Sequence, residues 1–186
     1  METSFYSREE LQNLGFSKIG DHVLISRFAR FYNISAISIG NNVRIDDFCI
    51  LSGNISLGNN IHISAFCALY GSNEIIMNDY SGLSPRTTIF STSDDFSGEF
   101  MVGPMIPDEY RNVNGGQVII GKYVQIGAGC VVFPDLKIND GVTVGALSLI
   151  NKSLEPWTIY AGIPARIIKK RSGKIVELAG KYSESK

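Results

Sequence analysis

Residues 39–69 read IGNNVRIDDFCILSGNISLGNNIHISAFCAL and carry an aliphatic residue at every sixth position. The run extends one more step to Ile75, and a second run with the same period begins at Ile120. A period of six fits neither the 3.6-residue turn of a helix nor the two-residue alternation of a plain strand. It fits a short strand followed by a tight corner, repeated many times. The aliphatic positions are Ile39, Ile45, Leu51, Leu57, Ile63, Leu69 and Ile75, and then Ile120, Ile126, Val132, Ile138, Val144 and Ile150.

The residues between these aliphatic positions repeat every eighteen residues. Eighteen residues predict one coil with three flat faces, on which like residues stack from coil to coil as in a parallel β ladder. Glycine and asparagine suit the corners, where positive φ is needed. The sequence therefore predicts an all-β parallel β-helix. The repeats are Asn41-Asn42 with Asn59-Asn60, Phe48-Cys49 with Phe66-Cys67, and Arg44 with His62.

Segments outside the repeat set the predicted boundaries. Ser7 and Glu10 have the spacing of a capping box, which predicts a short helix within residues 1–18. The β-helix is predicted over residues 19–168, interrupted by one long loop at about 81–117, and a loop of this length in a regular solenoid is usually functional. Residues 169–186 are predicted to form a basic and polar tail.

Composition excludes several classes of protein. The 186 residues are 44% hydrophobic and 19% charged, with a net charge of −1, which argues against a disordered chain and a nucleic-acid-binding protein. No apolar stretch approaches 18 residues, so no membrane-spanning segment is predicted. The three cysteines form no C-x-x-C motif and are interpreted as reduced, stacked core residues, so we expect a cytoplasmic protein. Only two histidines are present, fewer than a three-histidine zinc site needs, and no metal site is predicted.

The hexapeptide runs, the single long loop and the ending Ala161-Gly-Ile-Pro-Ala-Arg166 resemble the left-handed β-helix acyltransferases. This family includes galactoside, maltose, serine and xenobiotic acetyltransferases and many sugar acetyltransferases of surface-polysaccharide pathways. The resemblance covers about residues 19–170 and implies left-handed coils. It also implies a homotrimer with active sites between subunits, and Phe48 and Phe66 are possible contacts on one outward column.

The resemblance implies an acetyl-CoA-dependent transfer of an acetyl group to a hydroxyl or amine of a sugar or sugar nucleotide. The alternative is a non-catalytic, degenerate scaffold protein with the same fold. The coenzyme phosphates would be met by basic residues near the C-terminus, although a basic tail can simply be solvated. The implied coenzyme-binding residues are Gly127, Ala128, Gly145, Ala146, Ser148 and Ala161 along the groove, with Lys152, Arg166, Lys169 and Lys170 near the phosphates.

The catalytic base is the least obvious part of the site, because the long loop lacks the histidine that the family carries there. Asp94 and Asp95 are candidates to accept a proton or to orient an acceptor amine, although an Asp-Asp pair also suits a simple turn. His62 is the other candidate, since a strict eighteen-residue coil brings it beside Tyr80 or Ser81 at the root of the loop. A third possibility needs no protein base: the departing CoA thiolate takes the proton from an amine.

Overall fold

The computed structural model describes residues 4–185, so residues 1–3 and Lys186 of the predicted terminal segments lie outside it. The chain winds into a parallel β-solenoid of about seven turns, each with three faces, which confirms the predicted fold class. All thirteen aliphatic positions of the six-residue runs are buried and stack along the axis. Burying each such side chain contributes roughly 1.5–3 kcal/mol, so the ladder of aliphatic residues is the main source of stability.

Three sets of strands form the faces, with every neighbouring pair within a face parallel. Two long strands, Ile50–Leu57 and Ala68–Met77, continue around a corner and contribute to both the third and the first face. The other strands of the first face are Lys18–Ile19, Ile37–Ile39, Val118–Ile120 and Leu136–Ile138. The strands of the second face are Leu24–Ile25, Val43–Ile45, Ile61–Ile63, Gly82–Leu83, Gln125–Ile126, Thr143–Val144 and Thr158–Ala161. The other strands of the third face are Arg30–Tyr32, Thr88–Phe90, Val131–Val132 and Leu149–Ile150.

The cysteines lie in the core, as the eighteen-residue repeat predicts. Cys49, Cys67 and Cys130 are fully buried and unpaired by disulfides. Their thiols donate to corner carbonyls at 3.1–3.2 Å. Burial raises the pKa of the Cys130 thiol, which makes it less reactive. These cysteines are therefore small core residues.

The coil is not always eighteen residues long. Leu51 pairs with Leu69, eighteen residues later, but Leu57 pairs with Met77, twenty residues later. Two extra residues are accommodated at the corner where the register shifts between Gly53 and Ile55. Ile75, six residues after Leu69, is buried but does not occupy the same position in its coil as Leu57. Ile75 pairs with Ile55, whereas Leu57 pairs with Met77.

The long loop begins about ten residues later than predicted. Gly82–Leu83 and Thr88–Phe90 are regular coil strands, and the chain leaves the coil only after Ser91. Residues 92–115, which we call the excursion, open with Thr92–Asp94 and close with Val113–Gly115, and these two strands pair antiparallel at its base. A single 3-10 turn, Asp108–Tyr110, lies between them. The sequence suggested an earlier start because Ser84-Pro-Arg-Thr87 lacks an aliphatic residue.

Both ends of the described chain are helical. The N-terminal helix Arg8–Asn13 has the predicted capping box, and Leu11 is buried in the core. Much of the segment predicted as a basic and polar tail has regular secondary structure, because Arg166–Lys170 turns back to pair antiparallel with Thr158–Ala161 and is followed by a second helix, Lys174–Glu184. The sequence carries no start signal for this helix, because Gly173 at its N-cap has no side chain that could cap it. No helix in residues 4–185 is both long and apolar enough to cross a bilayer.

Candidate active site

A cavity of about 630 Å³ opens between the third face and the excursion. Its floor is a column of aromatic side chains, each of which follows a buried aliphatic residue of the third face. Tyr70 and Phe90 stack with ring centroids 5.4 Å apart, and Phe133 lies on the next coil. Apolar groups of the excursion form the opposite wall. The lining residues are Tyr70, Ser72, Phe90, Thr92, Ser93, Asp94, Phe96, Pro104, Arg111, Val113, Phe133 and Pro134.

Two charged residues line this largely apolar cavity. Asp94 ends the strand Thr92–Asp94, and its Oδ1 lies 3.5 Å from Nη2 of Arg111. Arg111 also lies 3.3 Å from the exposed Asp108. Both side chains are mostly buried, with 28% of Asp94 and 17% of Arg111 exposed. The cavity therefore presents a carboxylate that is available to a ligand's N–H or O–H group, with a guanidinium beside it.

Asp95 is oriented differently. Its Oδ1 accepts the backbone N–H of Ser97 at 2.7 Å, and its Oδ2 accepts Nδ2 of Asn112 at 2.8 Å. The hydrogen bonds from Ser97 and Asn112 hold the pKa of Asp95 below its usual range. Asp95 does not line the cavity, so this carboxylate matches the turn-forming alternative that the sequence left open.

His62 does not lie where the eighteen-residue coil predicts. It pairs with Gly82 rather than standing beside Tyr80 or Ser81, because the coil that follows it has two extra residues. It lies on the second face, whereas the excursion leaves from the third, and it does not line the cavity.

The imidazole of His62 is engaged elsewhere. Its Nε2 lies 2.8 Å from Oδ2 of Asp46, and Arg44 donates to the same carboxylate at 2.7 Å. Burial raises the pKa of Asp46, but the hydrogen bonds from Arg44 and His62 outweigh it and lower the pKa overall. Within a single copy of the chain, the structure does not bring His62 together with Asp94.

A strip of small residues follows the corner at the end of the second face. Gly127, Gly145 and Ala161 each come directly after a strand residue of the second face. Those strand residues, Ile126, Val144 and Tyr160, pair with one another on three successive strands. A Cβ at Gly127 would lie only 2.5 Å from the backbone nitrogen of Ala146, so the coils approach closely here. Ala128 accepts a backbone hydrogen bond from Leu147 in the next coil. The structure thus brings most of the predicted groove residues together.

The basic residues differ in their surroundings. Arg166 is exposed and pairs directly with Ala161, at the end of the small-residue strip. Lys169 is also exposed and pairs with Ile159, two residues before Ala161. Lys152 is exposed and lies two residues after the third-face strand Leu149–Ile150. Lys170 donates to Oγ1 of Thr158 at 3.1 Å, which ties it to the coil.

Ser148 departs from its predicted place in the groove. It is buried, with its hydroxyl donating to the carbonyl of Gly145 at 2.7 Å and accepting the N–H of Gly162 at 3.0 Å. Its side chain closes the corner and does not face solvent, because the corner's backbone groups need a partner there.

Sequence reasoning missed Arg111 and the aromatic column. The column has a signal in retrospect, since Tyr70, Phe90 and Phe133 each follow an aliphatic residue that faces the core. Arg111 has none, because only the folded excursion brings it beside Asp94. Among residues 4–185, no group of three or more histidine, cysteine, aspartate or glutamate side chains could hold a metal ion.

Comparisons with known proteins identify the chemistry. No protein-family model matches the sequence. The dTDP-4-amino-4,6-dideoxy-D-glucose acyltransferase of Escherichia coli is 41% identical over 179 residues, which cover 95% of this chain and 93% of that protein. A variant of AntD, an N-acyltransferase from Bacillus cereus in complex with dTDP and coenzyme A, matches all of both chains with a TM-score of 0.98 at 50% identity.

Two further structures extend the comparison. AntD in complex with dTDP and 3-hydroxybutyryl-CoA has a TM-score of 0.97 and 51% identity, covering 99% of this chain and 98% of that one. A maltose O-acetyltransferase from Clostridium difficile 630 has a TM-score of 0.57 at 24% identity over 89% of this chain and 75% of that one, which supports the fold alone.

These findings confirm the predicted left-handed β-helix, the enzyme class and the use of an acyl-CoA co-substrate, and they favour an enzyme over the alternative of a degenerate scaffold. The chain belongs to the hexapeptide-repeat acyltransferases, the family of left-handed β-helix enzymes that includes sugar-nucleotide N-acyltransferases and sugar O-acetyltransferases.

Proposed function

We propose that this enzyme transfers an acyl group from acyl-CoA to the amino group of a dTDP-linked 4-amino-4,6-dideoxyhexose. One observation carries the choice of an amine: within one copy of the chain, the cavity under the excursion contains the carboxylate of Asp94 and no imidazole. The name of the Escherichia coli relative supports this acceptor, and so do AntD structures in complex with dTDP-4-amino-4,6-dideoxyglucose and coenzyme A. The apolar walls suit a sugar that lacks a hydroxyl at C6.

An amine acceptor makes the missing histidine understandable. A neutral amine attacks the thioester carbonyl carbon without prior deprotonation, the C–S bond breaks, and the CoA thiolate leaves. The proton lost by the nitrogen goes to that thiolate, so atoms and charge balance without a protein base. Asp94 accepts an N–H of the amine and orients its lone pair toward the thioester, and this positioning supplies much of the rate.

His62 and Asp95 have smaller roles in this proposal. His62 is the proposed base only if the acceptor is a hydroxyl, because a carboxylate with an ordinary pKa of about 4 is a poor base for a sugar hydroxyl. With an amine acceptor His62 is dispensable. Asp95 shapes the turn that presents Asp94 to the cavity.

The coenzyme lies along the small-residue strip in this proposal, with the pantetheine arm against Gly127, Ala128, Gly145, Ala146 and Ala161. Arg166 and Lys169 meet the phosphates, because Arg166 pairs with Ala161 at the end of the strip. Lys152 is the more distant phosphate contact. Arg166→Ala should weaken coenzyme A binding by about 1–3 kcal/mol in calorimetry, the range for losing a charge-assisted contact. Unchanged affinity would remove Arg166 from the coenzyme site.

We further propose a cytoplasmic homotrimer that serves surface-polysaccharide biosynthesis. The free, buried cysteines fit a reducing compartment. The excursion carries highly exposed apolar side chains, with Phe96 84% and Met105 92% exposed in a single copy. A neighbouring copy would cover them and bring the cavity against a second subunit's groove.

The acceptor and the acyl group are tested together. Purified protein is incubated with dTDP-4-amino-4,6-dideoxyglucose and either acetyl-CoA or 3-hydroxybutyryl-CoA, with mass spectrometry of the nucleotide sugar and thiol release as readouts. We expect a product whose mass increases by one acyl group, attached through an amide. His62→Ala should keep full activity, while Asp94→Asn should lower kcat/KM. Acylation of a hydroxyl, or a loss of about a hundredfold in kcat for His62→Ala, would contradict the proposal.

A further inference from the structure

Arg111 connects the two ends of the excursion beside Asp94. It follows the turn Asp108–Tyr110 on the returning half, whereas Asp94 ends the strand on the outgoing half. The backbone N–H of Arg111 donates to the carbonyl of Asp108 at 3.1 Å, and an isolated bridge joins Arg111 to Met101. The guanidinium is thus carried to the cavity by the fold of the excursion itself.

The guanidinium is incompletely paired at that position. Its Nε is buried and finds no hydrogen-bond partner among residues 4–185. Its contacts with Asp94 at 3.5 Å and Asp108 at 3.3 Å are longer than the roughly 2.7–2.9 Å of a strong charge-assisted hydrogen bond. Asp108 is almost fully exposed, so water screens it, and Asp94 is the partner that shares the cavity with Arg111. A buried cation with loose partners contributes little to folding, which argues for a role in the site.

We infer that Arg111 is the positioning residue that selects an amine acceptor, by holding Asp94 in the cavity as an oriented anion. This inference rests on the proposed function. Nη2 of Arg111 lies on the Oδ1 side of Asp94, at 3.5 Å, which leaves Oδ2 to accept a hydrogen bond from the acceptor. An amine gives one N–H to Oδ2 and keeps its lone pair for attack. A hydroxyl gives its single hydrogen to a carboxylate that is too weak a base to remove it, and so reacts poorly.

A double-mutant cycle tests the coupling. Arg111→Met, Asp94→Asn and the double variant are assayed with the dTDP-linked 4-amino sugar and with the matching 4-hydroxy sugar, and kcat and KM are determined for both substrates. Each single variant should lower kcat/KM for the amino sugar by about tenfold or more, and the double variant should be no worse than the less active single variant, which is a coupling of about tenfold or more. Preference for the amine should fall, while the KM for acyl-CoA stays unchanged. Arg111→Lys should restore part of the activity.

Asp108→Asn is the matched control. It removes the other carboxylate beside Arg111 but does not touch the cavity, so the kinetics should match wild type. If Asp108→Asn is as damaging as Arg111→Met, Arg111 is a structural link in the loop and the inference is wrong. Additive effects in the cycle, or an unchanged preference for the amine, would also overturn it.

Two further outcomes remain decisive. Circular dichroism of each variant checks folding, and if Arg111→Met does not fold, the same cycle is run with Arg111→Gln, which also removes the charge. Wild-type protein that leaves amino sugars unacylated contradicts the proposed function and the inference with it. Wild-type protein that acylates them, combined with an additive cycle, contradicts only the role of Arg111.

Discussion

At the scale of single residues, Gly115 closes the base of the excursion. A Cβ at this position would overlap the carbonyl oxygen of Ser91 and lie 2.7 Å from Cα of Thr92. The outgoing and returning chains can approach this closely only because one of them lacks a side chain. The position of Asp94, three residues into the excursion, depends on that contact.

Gly115→Ala should therefore destabilise the protein and lower its activity together. Forcing a methyl group between two backbones costs typically about 1–3 kcal/mol. Gly180→Ala is the control, because a Cβ there meets no atom within 4 Å and alanine is favoured over glycine in a helix by about 1 kcal/mol. Thermal unfolding and the acyl-transfer assay provide the readouts. A Gly115→Ala protein with wild-type stability and activity would show that the base of the excursion relaxes freely.

At the scale of elements, the two terminal helices are attached by different means. The N-terminal helix uses Glu10, which accepts the backbone N–H of Ser7 at 2.7 Å and two hydrogen bonds from Arg27 at 2.7 and 2.8 Å. The C-terminal helix follows Arg171, whose guanidinium donates to corner carbonyls of Tyr123 and Gly141 at 2.6 and 3.0 Å.

The N-terminal attachment should depend on pH. Hydrogen bonds from Arg27 and the backbone of Ser7 lower the pKa of Glu10 from 4.5 to about 2 in the folded protein. A carboxyl with a depressed pKa stabilises the fold above its unfolded pKa and loses that contribution as the pH falls through its folded pKa. Glu10→Gln should lower the Tm at pH 7. The difference in Tm between the variant and wild type should shrink as the pH falls from 4.5 to about 2.

Glu9→Gln is the control for that titration, because Glu9 occupies the same helical turn without a side-chain hydrogen bond among residues 4–185. Its Tm should follow wild type across the same pH range. If the difference in Tm between Glu10→Gln and wild type stays constant with pH, Glu10 does not cause the pH dependence of the N-terminal attachment.

The C-terminal attachment should depend on Arg171 much more than on the exposed Lys169. Burial lowers the pKa of Arg171, and its guanidinium replaces water for several corner carbonyls. Arg171→Met should lower the free energy of unfolding by about 2 kcal/mol or more and should speed the exchange of backbone amide hydrogens in Lys174–Glu184. Lys169→Met, at an exposed position, should leave the free energy of unfolding and the exchange rate unchanged. Equal protection of the helix from exchange in the two variants would contradict the proposed role of Arg171.

At the scale of the whole molecule, the exposed apolar surface supports the proposed homotrimer. Phe28, Phe48 and Phe66 stack on one corner with ring centroids 5.7 and 5.0 Å apart, and each is about half exposed. Arg86 continues the column over Phe66. A monomer rarely exposes such a column together with the apolar side chains of the excursion, and the proposed trimer would cover both without leaving an open edge.

Light scattering at micromolar concentration should give three times the mass of the chain. Phe66→Glu should shift the distribution toward smaller species and weaken coenzyme A binding with it, because the proposed groove needs a second wall. Phe66→Tyr keeps the ring and should remain trimeric. A wild-type monomer would contradict the assembly, and a trimeric Phe66→Glu protein would exclude this column from the interface.

The sequence by itself determined the solenoid, because a six-residue period constrains each residue by its neighbours in the chain: Ile45, Leu51 and Ile63 are buried where the period puts them. It also determined the N-terminal cap and the stacked cysteines, which rest on local spacing. Only the tertiary structure decided the site. His62 pairs with Gly82 on the second face, whereas the chain leaves the coil only after Ser91 on the third face, and no six-residue period encodes where the loop begins. The pairing of Asp94 with Arg111 depends on how the excursion folds back on itself, a contact across seventeen residues that no period encodes.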